Sequence, residues 1–364
     1  MSVVVCIDGH PAEQSPKYRR VLAELGPLPD ESQHVFELWT DVPQRQANAQ
    51  SVWLNPGCSA AAKEWLQNGG AVLESRIHSG TSVDRLRQRA FDVNVRRDST
   101  APFDPCVLAA FLAHDFPLVD ALMLARAYRG NGWPNDLEDY PLPVGGPVSD
   151  APCAPFPRNA GLYAVVPTSE WVRRLTKLQV PVLQLRDKSS EAARRSAAIG
   201  EAVRAVSGTD ILLFINDDWQ AAIQHRAYGV HLGQEDIEAA DLRAIREAGL
   251  LLGISTHGIY EMLRAHACKP SYIALGAIYA TATKSMPTAP QGLRRLEHYV
   301  RLMSPHYPLV AIGGLDRSRI PGVWATGVDC AAILRAIVDT PDYRSATADL
   351  LELTPRVACA IGPS

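Results

Sequence analysis

Beyond residue 160 the chain alternates between short apolar runs and stretches whose apolar residues recur at helical spacing. The apolar runs are Leu162 to Val166, Val180 to Leu185, Ile211 to Ile215, Gly229 to Leu232, Leu250 to Ile254, Tyr272 to Ala277, Leu309 to Ile312 and Asp329 to Leu334. Each is too short for a helix and reads as a strand buried on both faces. Most of the gaps carry a helical pattern, as in Ser169 to Leu175, Ala192 to Val206, Asp241 to Glu247 and Leu293 to Met303. Eight strands alternating with helices predict an α/β fold, a parallel (β/α)8 or TIM barrel over residues 161–357. A doubly wound open sheet is the alternative, but it does not normally require eight units.

The first part of the chain is less regular. Val107, Leu108, Phe111 and Leu112 recur at helical spacing, His114-Asp115-Phe116-Pro117 interrupts them, and Leu118, Leu122 and Ala125 resume. This predicts a helix pair packed on a small sheet that includes Val3 to Ile7, within a smaller α/β accessory domain over residues 1–140 to which no role attaches. Residues 141–160 follow with Pro-Leu-Pro-Val-Gly-Gly-Pro and Asp150-Ala-Pro-Cys-Ala-Pro-Phe-Pro. Repeated prolines fix φ and remove backbone donors, so this stretch reads as a semi-rigid linker.

A barrel of this kind demands functional residues at the C-terminal ends of several strands. Strand two ends in Gln184-Leu185-Arg186-Asp187-Lys188, strand three in Asn216-Asp217 and strand four in Gly233-Gln234-Glu235-Asp236. Strand five ends in Ser255-Thr256-His257, strand six runs on to Thr281-Ala282-Thr283-Lys284, and strand seven ends in Gly313-Gly314. Arg186, Lys188 and Lys284 supply fixed positive charge suited to a diphosphate, Arg as a planar fork and Lys as compact point charges. Asp217 and Asp236 offer oxygen ligands for Mg2+, which takes one or two carboxylates and completes its shell with water and substrate phosphate. Gly313 and Gly314 lie where barrels commonly hold a second phosphate through backbone amides. An Asn-Asp-Asp after one strand is by itself an ordinary turn; the second carboxylate set and the flanking motifs make it a metal site. His231 and His257 read as buried, hydrogen-bonded structural histidines. Nothing in the set is a covalent catalyst, so the economical mechanism is loss of a metal-chelated pyrophosphate followed by attack on the cation left behind.

Composition narrows the setting. The chain has 364 residues and a net charge of only -3, with Lys and Arg scattered, which excludes electrostatic capture of nucleic acid or a membrane surface. Seven cysteines, odd in number and without Cys-x-x-Cys or Cys/His metal spacing, fit a reduced cytoplasmic protein. Met1 to Asp8 is short and lacks a basic flank, so it reads as a strand and not as a signal peptide, and no run approaches transmembrane length. The expected partners are small-molecule substrates; association into a homo-oligomer stays open.

The ordered series Gln-Leu-Arg-Asp-Lys, Ile-Asn-Asp-Asp, Gly-Val-His-Leu-Gly-Gln-Glu-Asp, Gly-Ile-Ser-Thr-His, Gly-x-Ile-Tyr-x-Thr-x-Thr-Lys and Ala-Ile-Gly-Gly resembles thiamine phosphate synthases, from about Leu162 to Leu353. The resemblance implies a transferase that joins hydroxymethylpyrimidine diphosphate to a thiazole phosphate and releases pyrophosphate. It further implies that Gln184 contacts the pyrimidine, that Arg186, Lys188, Asn216 and Lys284 hold the diphosphate, and that Asp217 and Asp236 bind Mg2+. Ser255 would assist near the diphosphate, while Thr281, Thr283 and Gly314 would hold the thiazole phosphate.

Departures from that pattern are Pro167 at the end of strand one, Ala280 in place of a common proline, and Cys330-Ala331-Ala332-Ile333-Leu334-Arg335 where the family usually ends strand eight in Ile-Ser. Backbone N–H groups of Leu334 and Arg335 would still be able to hold phosphate there. In the first domain, the Cys-x-x-Ala-x-x-x-Ala opening at Cys106 and its Phe-Pro-Leu continuation resemble the C-terminal part of hydroxymethylpyrimidine phosphate kinases. The turn Phe103-Asp104-Pro105-Cys106 has no glycine and loses a donor at Pro105, so a degenerate, inactive relic is the form that resemblance takes. Two alternatives to the synthase stay open: a related thiazole tautomerase-type barrel, and a non-catalytic regulatory protein of the thiamine pathway.

Overall fold

The computed structural model describes residues 4–29, 35–40, 43, 46, 50–54, 60–78, 81–88, 91–97, 103–281 and 289–355. The chain divides into two compact units, Met1–Gly146 and Pro147–Ser364.

The first unit is built on an eight-stranded sheet: β1 (Val4–Ile7), β2 (His10–Pro11), β3 (Val35–Trp39), β4 (Ser51–Leu54), β5 (Ala71–His78), β6 (Thr81–Gln88), β7 (Phe91–Arg97) and β8 (Leu142–Pro143). Spatial order is β2-β1-β3-β4-β5-β6-β7-β8. Strands β1, β3, β4 and β5 pair in parallel, whereas β2 and the run from β5 to β8 pair antiparallel. The expected helix pair is present as Pro105–Ala113 and Leu118–Ala127. Asp104 starts the first of these by accepting from the Cys106 N–H, with Pro105 in the first turn, where a missing N–H costs nothing. The sheet is larger than the sequence pattern suggests. The inward positions of β6 are Ser82, Asp84 and Leu86, and Asp84 is neutralised by the buried Arg126, so no apolar alternation marks the strand.

The second unit is a closed parallel barrel of β9 (Gly161–Val166), β10 (Val182–Leu185), β11 (Leu212–Asn216), β12 (Gly229–Leu232), β13 (Leu251–Thr256), β14 (Tyr272–Leu275), β15 (Leu309–Ile312) and β16 (Cys330–Ile333). Strand β16 pairs with β9, Cys330 opposite Gly161, and closes the ring. Outer helices include Ser169–Thr176, Ala192–Val206, Leu242–Glu247 and Gly292–Met303, as the helical spacing predicts. Thr168, Asp218, Asp241 and Asp342 each cap a helix by accepting a backbone N–H three residues on, which is why the chain turns into helices at these points.

The barrel interior is apolar at its N-terminal end. Tyr163, Val182, Phe214, Leu251, Tyr272, Val310 and Cys330 fill it, and Phe156 lies beneath them against the Phe214 and Tyr272 rings, at centroid distances of 5.7 and 4.9 Å. Gly253 is required here, because a Cβ at this position would lie 2.1 Å from the Tyr272 ring. Phe156 belongs to the proline-rich stretch read as a linker. From Pro147 onward that stretch is part of the barrel unit: Ser149, Cys153 and Phe156 donate their N–H groups to the carbonyls of Ala267, Lys269 and Ser271. The stretch therefore runs along the segment that leads into β14.

Candidate active site

At the C-terminal end of the barrel a cavity of about 460 Å³ opens among the βα loops. Alternation along β10 turns Gln184 inward, and the turn that follows brings Arg186 and Lys188 to the rim. Arg195 fixes this turn by donating to the Ser189 carbonyl (2.8 Å) and pairing with Asp218 (3.4 Å). Asn216 is the last residue of β11, and Asp217 follows it in a left-handed backbone conformation (φ 64°), its N–H donated to the His231 carbonyl at the end of the neighbouring strand. Ser255 comes from the end of β13, Thr281 from the loop after β14, Gly313 and Gly314 from the turn after β15, and Leu334 and Arg335 from the turn after β16.

Of the residues singled out from the sequence, Gln184, Arg186, Lys188, Asn216, Asp217, Asp236, Ser255, Thr281, Gly313, Gly314, Leu334 and Arg335 line this one cavity. Thr283 and Lys284 lie outside the described residues. The cavity wall also includes His231, Glu235 and His257. His257 is engaged by the helix that follows it, both its N–H and its ring meeting Glu261 at 2.8 and 2.7 Å. His231 is buried, as expected, yet its ring reaches Ser255 (2.7 Å) and so bears on the site.

Charge at the site is set by a carboxylate pair. Burial, the negative charge of Asp217 and a hydrogen bond shared between the two carboxyls raise the Asp236 carboxyl above its usual range, against the pull of the Gly233 N–H (3.0 Å). Two acidic groups held against each other in this way could hold a cation between them. Among the described residues no three His, Cys, Asp or Glu side chains cluster for a metal, so the pair stands without a third protein ligand of that type. Mg2+ suits such a donor set, since it takes one or two carboxylates and keeps water and phosphate for the rest. Lys188 lies 3.4 Å from Asp217, and no carboxylate pairs with Arg186 among the described residues. The Arg335 guanidinium is turned to Asp339 on its own helix, at 2.8 Å.

The turn after β15 is shaped for backbone contact. Gly314 has φ 66°, and a Cβ there would meet the Ala280 carbonyl at 2.6 Å. Arg319 secures the turn, donating to the Gly314 carbonyl (2.6 Å) while its guanidinium stacks over the Tyr279 ring.

The fold is that of a (β/α)8-barrel enzyme, and the cavity at its C-terminal face is the candidate active centre. The family model for thiamine monophosphate synthase matches residues 162–337. The thiamine-phosphate synthase of Pectobacterium atrosepticum is 48% identical over 206 residues, which covers 57% of this chain and 97% of that protein. That of Cronobacter sakazakii is 51% identical over 200 residues, covering 55% and 95%. A solved structure of thiamine phosphate pyrophosphorylase from Pyrococcus furiosus is similar over 54% of this chain and 96% of its own, with 26% identity and a TM-score of 0.48. The chain belongs to the thiamine-phosphate synthase family, a family of transferases.

Proposed function

We propose that the barrel joins 4-amino-5-hydroxymethyl-2-methylpyrimidine diphosphate to a thiazole phosphate, giving thiamine phosphate and pyrophosphate. The observation that carries this reading is the convergence on one cavity of the Asp217–Asp236 pair with Arg186 and Lys188. Asp217 and Asp236 would hold Mg2+, which when bound neutralises charge on the departing diphosphate. Arg186, Lys188 and Asn216 bind the same group, so that cleavage of the methylene C–O bond leaves its electrons on an oxygen already surrounded by donors. Lys284 has this role too in our reading. Gln184 orients the pyrimidine. Thr281, Thr283 and the N–H groups of Gly313, Gly314, Leu334 and Arg335 hold the thiazole phosphate so that the ring nitrogen attacks the methylene carbon.

A tautomerase-type barrel would have no use for a cation-binding carboxylate pair beside Arg186 and Lys188, and those groups favour the synthase. The scattered cysteines, five of which form no disulfide among the described residues, favour a reducing, cytoplasmic setting. No helix among the described residues is long and apolar enough to cross a membrane. The deciding experiment supplies the purified protein with Mg2+ and both phosphorylated precursors and measures thiamine phosphate and pyrophosphate. Well-folded protein that forms neither product ends this reading; isomerisation of the thiazole phosphate alone would put the tautomerase in its place.

A further inference from the structure

In the floor of the cavity a line of hydrogen bonds runs from Gln184 on β10 to Ser255 on β13. Gln184 Nε2 lies 3.0 Å from the Tyr163 hydroxyl, which lies 2.9 Å from the Tyr272 hydroxyl. The Tyr272 hydroxyl is 2.7 Å from His231 Nδ1, and His231 Nε2 is 2.7 Å from Ser255 Oγ. Gln184, Tyr163, Tyr272 and His231 are all buried. Burial pushes both phenols above their ordinary range, so each keeps its one hydrogen.

A line of groups that each give one hydrogen and accept another has two consistent states, with every donor pointing one way or every donor pointing the other. The end group decides between them. The Gln184 amide nitrogen only donates, so the Tyr163 oxygen accepts from it and the Tyr163 hydrogen must pass to Tyr272. The Tyr272 hydrogen then goes to Nδ1 of His231. A neutral imidazole accepting at Nδ1 carries its hydrogen on Nε2 and donates to Ser255 Oγ. The Ser255 hydrogen is thereby released into the cavity. In the opposite state Ser255 would give its hydrogen to His231 and present only lone pairs.

We propose that Gln184 sets the tautomer of His231 through the two tyrosines, and that His231 is a positioning residue which makes Ser255 a hydrogen-bond donor to an anionic oxygen in the cavity. The functional meaning rests on the synthase reading, in which that anion is the leaving diphosphate; the tautomer itself does not.

The test uses the full chain labelled with 15N-histidine, with long-range proton–nitrogen correlation of the imidazoles and the His231 signals assigned by their loss in His231→Gln. The unaltered protein should carry the His231 hydrogen on Nε2. Gln184→Glu, recorded at a pH where the new carboxylate is ionised and only accepts, should reverse the line and move that hydrogen to Nδ1. A hydrogen on Nδ1 in the unaltered protein overturns the proposal, and that single measurement decides should Gln184→Glu not fold. A hydrogen that stays on Nε2 in the folded Gln184→Glu protein, with its carboxylate ionised, overturns it as well. In turnover, His231→Leu should lower kcat by ~10²-fold with KM nearly unchanged, the scale of losing one well-placed donor to developing charge. His231→Gln, whose amide N–H can reach Ser255, should recover part of the loss; equal kcat for the Leu, Gln and unaltered proteins overturns the positioning role. Failure of the unaltered protein to make thiamine phosphate, with the hydrogen on Nε2, would instead sink only the synthase reading.

Discussion

Asp217 and Asp236 come together from the turns that follow adjacent strands, and burial, the Asp217 charge and a hydrogen bond between the two carboxyls make Asp236 harder to ionise. A repulsive pair retained in a cavity wall is a cost to folding that a bound cation offsets. Asp217→Asn should therefore abolish or greatly reduce turnover, by about 10²-fold or more, while leaving the metal-free protein as stable as before or slightly more so. Thermal melts without added metal, beside turnover with Mg2+, check this. A sharp drop in melting temperature would make Asp217 a structural residue, and an unchanged rate would remove it from the metal shell.

Pro147 begins the barrel unit, and the N–H groups of Ser149, Cys153 and Phe156 bind carbonyls of the segment that leads into β14. A chain beginning at Pro147 should retain full synthase activity. Phe156→Ala in the whole protein should cost about 3–5 kcal/mol of barrel stability, because the ring fills a space its neighbours cannot close over. Urea unfolding measures the second effect and steady-state kinetics the first. Loss of activity in a folded barrel-only chain would give residues 1–146 a part in the site.

Gly314 combines a left-handed backbone with a contact too tight for a methyl group. Gly314→Ala should raise KM for the thiazole phosphate about tenfold or more, from backbone strain of ~1–2 kcal/mol and the displaced turn. KM for the pyrimidine diphosphate should change little. Equal shifts in both constants would separate this turn from the thiazole phosphate.

His298 is buried in the helix Gly292–Met303, and burial, assisted by Arg301, lowers its pKa from 6.5 to about 3. The unfolded chain thus binds a proton that the folded barrel refuses across the whole interval between these values. Stability is fully present above the unfolded value and falls as pH drops from about 6.5 toward 3, by up to roughly 1.4 kcal/mol per pH unit for this one group. Denaturant midpoints across that range should show the slope. His298→Gln, which cannot take up the proton, should flatten it even where it lowers stability overall; an unchanged slope would assign the acid sensitivity to other groups.

The barrel strands are legible in the sequence because strands covered on both faces read as unbroken apolar runs, such as Leu212-Leu213-Phe214-Ile215. Their ends are legible because polar clusters follow at once, as Asn216-Asp217 does. The antiparallel half of the first sheet is not, since its inward positions hold Glu74, Ser82 and Asp84, and the charges are offset by Arg87 and by Arg126, 42 residues from Asp84. Phe156 is hidden in a proline-rich run with no period to mark it. The bearing of His231 on the site is concealed for the same kind of reason: the motif shows the histidine, but Tyr272 lies 41 residues away and only the closed barrel brings the two together.

One consequence of the first sheet's order concerns its borders. Its outermost strands, β2 and β8, are only two residues long and each ends in proline, Pro11 and Pro143. A longer, regular border would offer a row of unpaired backbone groups on which a second molecule could grow a ninth strand. Here each border strand pairs over only two residues, and its proline has no N–H to donate. The two borders of the first sheet thus offer a poorer template for strand addition than full-length edge strands would.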